Sequence, residues 1–189
     1  MTVHTPTHGI GSLHVVARVG AERFAFRVAD VEEALDAPRI LPVPGAAPGL
    51  VGQIRHRDRT VAAFDGRWAF GVETGRLGDR ETGRPEDRGG RGGSPGLPVF
   101  RSPGLLSLTA LILRRGDHRS ALLVDDVDDL AILDASRLRP APAGTDPEGV
   151  LHGVALERAA GVGLLGVVNV ANLLARVERL AVAPAEGAL

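Results

Sequence analysis

The chain has 189 residues and 44% hydrophobic content, enough for about one domain with a sizeable core. Its net charge of −1 and pI near 6.6 give no whole-molecule field of the kind that gathers nucleic acid or an anionic membrane. Cys is absent, which excludes a disulfide framework, a thiolate nucleophile and a zinc-thiolate site, and makes the cytoplasm the expected compartment.

Residues 1–12, rich in Thr, His and Gly, lack the basic start and apolar run of an export signal and are expected to be disordered. No later apolar stretch approaches the ~18 residues a spanning helix needs, so no direct membrane insertion is expected. Leu13 to Val19 and Arg23 to Val28 alternate as strands around a Gly-Ala-Glu turn, which predicts a hairpin. Val31, Ala34 and Leu35 carry the apolar pattern through the acidic pair Glu32-Glu33, and four prolines between Pro38 and Pro48 then exclude a helix. Ile54 to Arg57 and Thr60 to Phe64 predict a second hairpin, whose turn centres on Asp58 because Asp tolerates the left-handed conformation. Gly66 to Val72 reads as a short helix or turn. From Glu73 to Gly104 the chain is Gly, Arg, Pro and acid, which predicts a flexible linker. Leu108 to Arg114, Arg119 to Val124, Val127 to Leu133, Leu151 to Glu157 and Gly163 to Val168 supply further strands. Asn169 can cap a helix bearing Val170, Leu173, Leu174, Val177 and Leu180 on one face, expected to pack across a barrel.

The second half repeats the first. Gly20, Arg23, Ala25, Val28, Asp30 and Val31 fall on Gly116, Arg119, Ala121, Val124, Asp126 and Val127, and Glu32-Glu33 falls on Asp128-Asp129. One supersecondary unit is written twice. Strings that suggest chemistry fail in context. Gly161 to Gly166 matches a dinucleotide fingerprint but leads into a strand pattern rather than a helix. Asp125, Asp126, Asp128 and Asp129 lack the Gly and distal Glu of a calcium loop and read as a solvated strand end. His14, His56, His118 and His152 are scattered and expected at the surface. There is no nucleophile elbow, so no catalytic, cofactor-binding or metal residue is assigned. An OB-like nucleic-acid barrel would need stacking platforms, and five Phe, one Trp and no Tyr supply few.

What remains is protein recognition, and here the motifs become specific. From Glu22 to Asp65 the chain has an aromatic strand, Val31-Glu32-Glu33 in the place of V-x-E, a Pro-rich crossing, Gly52, and Arg55-His56-Arg57-Asp58 in the place of N-L-R-G. The second half has Val124-Asp125 and Val127 to Leu130 as V-D-x-V-x-x-V, then Gly153-Val154 and Val168-Asn169 to Leu174. Over about Leu13 to Val177 this resembles the CheW-like domain family of chemotaxis coupling proteins. The resemblance implies an all-β fold: two five-stranded SH3-like β-barrel subdomains sharing a core, with a C-terminal helix. The first barrel would take about residues 13–72 and the second about 105–177, with a tail from 178 to 189, and exchange of strands between barrels stays open. It also implies a non-enzymatic adaptor without cofactors, cytoplasmic and recruited to membrane receptor arrays. Its partners would be the regulatory domain of a CheA-like histidine kinase and the cytoplasmic tip of a methyl-accepting chemoreceptor. By the motif match Glu33 and Arg57 would be polar contacts and Val31 an apolar contact of the first barrel. Val127 and Leu130 would border a groove for a receptor helix. By hydrophobic pattern alone Val31, Val127 and Leu130 suit a core equally well. The departures Arg55, His56, Asp58, Ala62 and Ala121 make the kinase-facing edge more cationic and admit an alternative, a paralogue serving twitching, gliding or another two-component pathway.

Overall fold

A computed structural model describes residues 11–72, 108–146, 148–157 and 163–182. The expected disordered start up to residue 10, the 73–104 linker and the end of the tail lie outside these residues. In chain order the first half gives strands β1 (Ser12–Val19), β2 (Glu22–Arg27), β3 (Val31–Asp36), β4 (Ile40–Leu41), β5 (Leu50–His56) and β6 (Arg59–Asp65), then helix α1 (Gly66–Phe70). The second gives β7 (Thr109–Arg115), β8 (His118–Val124), β9 (Asp126–Leu133), β10 (Leu151–Glu157) and β11 (Gly163–Val168), then helix α2 (Val170–Val182). Each half ends alike. Asp65 accepts a hydrogen bond from the Arg67 amide at 2.8 Å to start α1, and Asn169 accepts one from the Asn172 amide at 3.2 Å to start α2.

The strands form two sheets, ordered β10-β11-β2-β1-β9 and β3-β7-β8-β6-β5-β4. Each sheet therefore combines a hairpin from one half with strands from the other, three in the first sheet and four in the second. The β1–β2 hairpin joins β9, β10 and β11, while β7–β8 joins β3, β5 and β6. The two junctions are parallel and equivalent: β11 meets β2 with Val167 opposite Ala25, and β6 meets β8 with Ala63 opposite Ala121. The repeat in the sequence is thus a pseudo-twofold in space, with the hairpins traded across it. Among the described residues neither sheet closes on itself, so the SH3-like subdomains are open barrels. The second sheet also gains a sixth strand, because the Pro-rich crossing lays Ile40 and Leu41 against Ile54 and Gln53. Its counterpart in the other sheet is the single bridge between Arg139 and Val154. Gly52 and Gly153 permit these crossings: a Cβ at Gly52 would sit 2.4 Å from the Leu41 carbonyl oxygen, and one at Gly153 2.6 Å from that of Arg139.

The traded hairpins are buried on both faces, which is why they read as apolar runs rather than as strict alternation. Val16 and Ala25 face the interior of the first sheet with Ala155, Leu165 and Val167. Ala110, Ile112, Ala121 and Leu123 face that of the second with Ile54 and Ala63. Their alternate residues, among them Ala17, Phe24, Phe26, Leu111, Leu113, Leu122 and Val124, meet in a central core with Val170, Leu173, Leu174 and Val177 of α2. Helix α2 therefore packs on the core shared by both subdomains. Phe24 stacks on Phe70 at 3.9 Å between ring centroids, tying α1 into the same core.

Candidate functional site

Strands β3 and β9 are the equivalent edges of the two sheets, and a groove of about 340 Å³ runs between them. Val15, Val31 and Val127 form its floor and pack partly on the central core, while Leu130 stands on its wall, 57% exposed. The apolar strip continues along the first sheet, where Leu13 pairs across strands with Ile132, which is 75% exposed. Each edge carries a bulge at the first residue of its acidic pair, Glu32-Glu33 or Asp128-Asp129. The β3 register skips Glu32 between Val31 and Glu33, and the β9 register skips Asp128 between Val127 and Asp129. A bulge re-aims its side chain, and each bulged carboxylate is met by the facing hairpin. Arg119 Nε lies 2.7 Å from Glu32 with Arg114 at 3.9 Å, and Arg23 Nε lies 3.1 Å from Asp128 with Arg18 at 3.8 Å. The hydrogen bond from Arg119 holds the Glu32 carboxyl below its ordinary pKa.

The symmetry breaks at the next acid. Asp129 accepts a 2.7 Å hydrogen bond from the amide of Leu130, whereas Glu33 is engaged by the β5–β6 hairpin. His56 Nε2 donates to Glu33 Oε2 at 2.8 Å, and Arg57 places Nη2 at 3.5 Å from the same oxygen and Nη1 at 3.5 Å from Glu32. The His56 bond, with its charge and that of Arg57, keeps the Glu33 carboxyl below its ordinary pKa. His56 is buried, at 5% exposure, as is His14, against the expectation of surface histidines. Even-numbered residues of β5 face inward, so His56 follows Ile54 into the sheet interior and needs a polar partner there.

The hairpin turn also differs from expectation. The left-handed residue is Arg57, with φ of 55°, and not Asp58. Pairing of His56 with Arg59 leaves a two-residue loop, and the first loop residue takes the positive φ. The β1–β2 and β7–β8 loops place Gly20 (φ 64°) and Gly116 (φ 59°) at that position. Arg57 is the one of these three that is not glycine, and strained residues of this kind gather at functional sites.

Of the residues singled out in the sequence, Val31, Glu33, Val127 and Leu130 all line the groove, and Arg57 borders it through Glu32 and Glu33. Sequence reasoning missed the groove residue Val15, the strip of Leu13 and Ile132, and the buried bond of His56. The inward alternation of β5 was the available signal for the last. The acids at 125–129 are engaged internally: Asp125 bonds Arg67 at 2.7 Å and accepts from the Gly20 amide, and Asp126 pairs with Arg18 at 3.3 Å. Among the described residues no three His, Asp or Glu side chains gather as a metal site, and no helix is long and apolar enough to cross a membrane.

The model of the CheW-like domain family matches residues 14–85. That stretch of the chain is similar to a CheW-like domain. Its fold is similar, with a TM-score of 0.60, to the crystal structure of the scaffolding protein TtCheW from Thermoanaerobacter tengcongensis, at 18% identity over 89% of this chain and 90% of that one. No curated protein matches the sequence. The CheW-like match takes in β3, the β5–β6 hairpin and the His56–Glu33 contact. The likeness of folds covers 89% of the chain.

Proposed function

We propose that this chain is a non-enzymatic adaptor in chemotaxis-type signalling, coupling the cytoplasmic tip of a chemoreceptor to the regulatory domain of a CheA-like histidine kinase. The observation that carries the reading is the convergence of Val31, Val127 and Leu130 on one groove, beside a polar edge where Arg57 is held over Glu32 and Glu33. An apolar groove between two sheet edges suits an amphipathic helix, which is what a receptor tip offers. The hairpin of Arg55, Arg57 and Arg59 suits a second partner with its own carboxylates, and Arg is frequently a hot spot at such contacts. The test is calorimetric titration of the full chain against the kinase regulatory domain and, separately, against a receptor-tip fragment from the same genome. Both should bind, with Arg57→Glu weakening the kinase arm at least about tenfold and leaving the receptor arm unchanged. Absence of binding in both arms refutes the adaptor reading. The Arg55-His56-Arg57-Asp58 hairpin favours a second reading, a CheW-like paralogue of a twitching, gliding or other two-component pathway. Titration against each CheA-like kinase of the genome separates the two.

A further inference from the structure

We infer that His56 is a positioning residue for Glu33 and that it makes docking through the β5–β6 hairpin depend on pH, tightening as pH falls. The inference rests on the adaptor reading for its partner and on this chain's own geometry for its mechanism. His56 and Arg57 compete for one atom, Glu33 Oε2, at 2.8 Å and 3.5 Å. The histidine ring is buried at the inner end of the contact, while Arg57 is 64% exposed at its outer end. Neutral His56 orients Glu33 through one hydrogen bond. Protonated His56 adds an ion pair to that bond, and charge-assisted bonds are roughly twice as strong. The carboxylate then belongs to the imidazolium, and Arg57 keeps only its 3.5 Å contact to Glu32, a carboxylate it shares with Arg119 and Arg114, so its guanidinium turns more readily toward a partner's carboxylate.

The surrounding charges set the direction. Glu32 and Glu33 face the ring from β3, Arg57 and Asp58 adjoin it in the loop, and Arg59 pairs with it across the hairpin. Arg114 and Arg119 from β7 and β8 are occupied with Glu32. Protonation therefore leaves the edge more positive and its outermost cation less engaged, and an acidic partner gains on both counts.

Two measurements decide the matter. The first needs no partner: carbon-13 NMR titration of the Glu33 side-chain carboxyl in the full-length wild type, His56→Leu, His56→Gln and Arg57→Ala. Its midpoint should rise further in His56→Leu than in Arg57→Ala, with His56→Gln between wild type and His56→Leu because the amide still donates. An unchanged midpoint in His56→Leu, or a larger rise in Arg57→Ala, overturns the positioning role. The second is binding of the regulatory domain of the CheA-like kinase from pH 8 to pH 5.5. Wild type should tighten about threefold to tenfold as pH falls, and His56→Gln should hold the wild-type affinity of pH 8 with a flat profile. A flat wild-type profile, or a pH dependence that survives in His56→Gln, overturns the pH coupling. If wild type binds at no pH the adaptor reading fails, and the carboxyl titration still judges His56.

Discussion

Arg57 stands where two sister hairpins of the same protein use glycine, and this permits a sharp test of whether the residue is retained for stability or for contact. Its φ of 55° matches 64° at Gly20 and 59° at Gly116. A residue with a Cβ is disfavoured in the left-handed region by about 1–2 kcal/mol. Glycine in turn loses more backbone freedom on folding, at a cost of about 0.5–1 kcal/mol. Arg57→Gly and Arg57→Ala both remove the 3.5 Å contacts to Glu32 and Glu33, so those losses cancel between the two variants. What remains is the backbone difference, and the glycine variant should be the more stable by roughly 0.5–1 kcal/mol. That ordering is the reverse of the one found in a strand or helix interior. In a chain of this size a difference of 1 kcal/mol corresponds to about 2–4 °C in Tm. Urea unfolding of the two variants side by side, followed by circular dichroism, measures it. Equal stabilities, or a more stable alanine variant, would refute the account of the turn. Both variants lack the guanidinium and should lose kinase binding to the same extent, which separates the binding role from the folding role.

Leu130→Asp changes an exposed groove residue and should shift stability by no more than about 0.5 kcal/mol while weakening receptor-tip binding at least about tenfold, read by urea unfolding and calorimetry. Glu32 and Glu33 have folded pKa values below their ordinary ones. Their stabilising contribution is therefore complete above the unfolded carboxylate value and is lost as pH falls through the folded values. The double variant Glu32→Gln/Glu33→Gln should show a shallower loss of urea midpoint than wild type between about pH 5 and pH 3, and an unchanged slope would contradict the ion-pair assignment. Gly52→Ala and Gly153→Ala each drive a Cβ against a backbone carbonyl, at 2.4 Å and 2.6 Å, and should each destabilise by about 2 kcal/mol or more in thermal unfolding.

Much of the fold was legible because turn residues and apolar spacing are local signals. The Gly20 and Gly116 loops and the Asn169 cap needed only their neighbours in sequence. Trading of the β1–β2 and β7–β8 hairpins was not legible, since periodicity records which face of a strand is buried and not which strand lies beside it. Ala25 pairs with Val167 and Ala121 with Ala63, contacts that no alternation of residues 23–28 or 119–124 encodes. Asp58 misled for a different reason. Its chemistry suits a left-handed turn, but the position that turns is fixed by His56 pairing with Arg59, and that is a matter of register. At the site, Val31 and Glu33 were reached through motif order, whereas His56 needed a partner 23 residues away to reveal its role.

The traded hairpins carry a consequence for how the chain comes into being. The first half leaves the ribosome holding β1 and β2, whose neighbours β9 and β11 have yet to be made, and β3 and β6, which await β7 and β8. Neither sheet can be completed co-translationally from the N-terminal half, so strand edges stay open until the second half is synthesised, and such edges invite pairing with another nascent chain. Two chains meeting at that stage hold everything needed to complete one another's sheets. The same connectivity that joins the subdomains in one molecule would serve an interlocked dimer with every strand contact preserved.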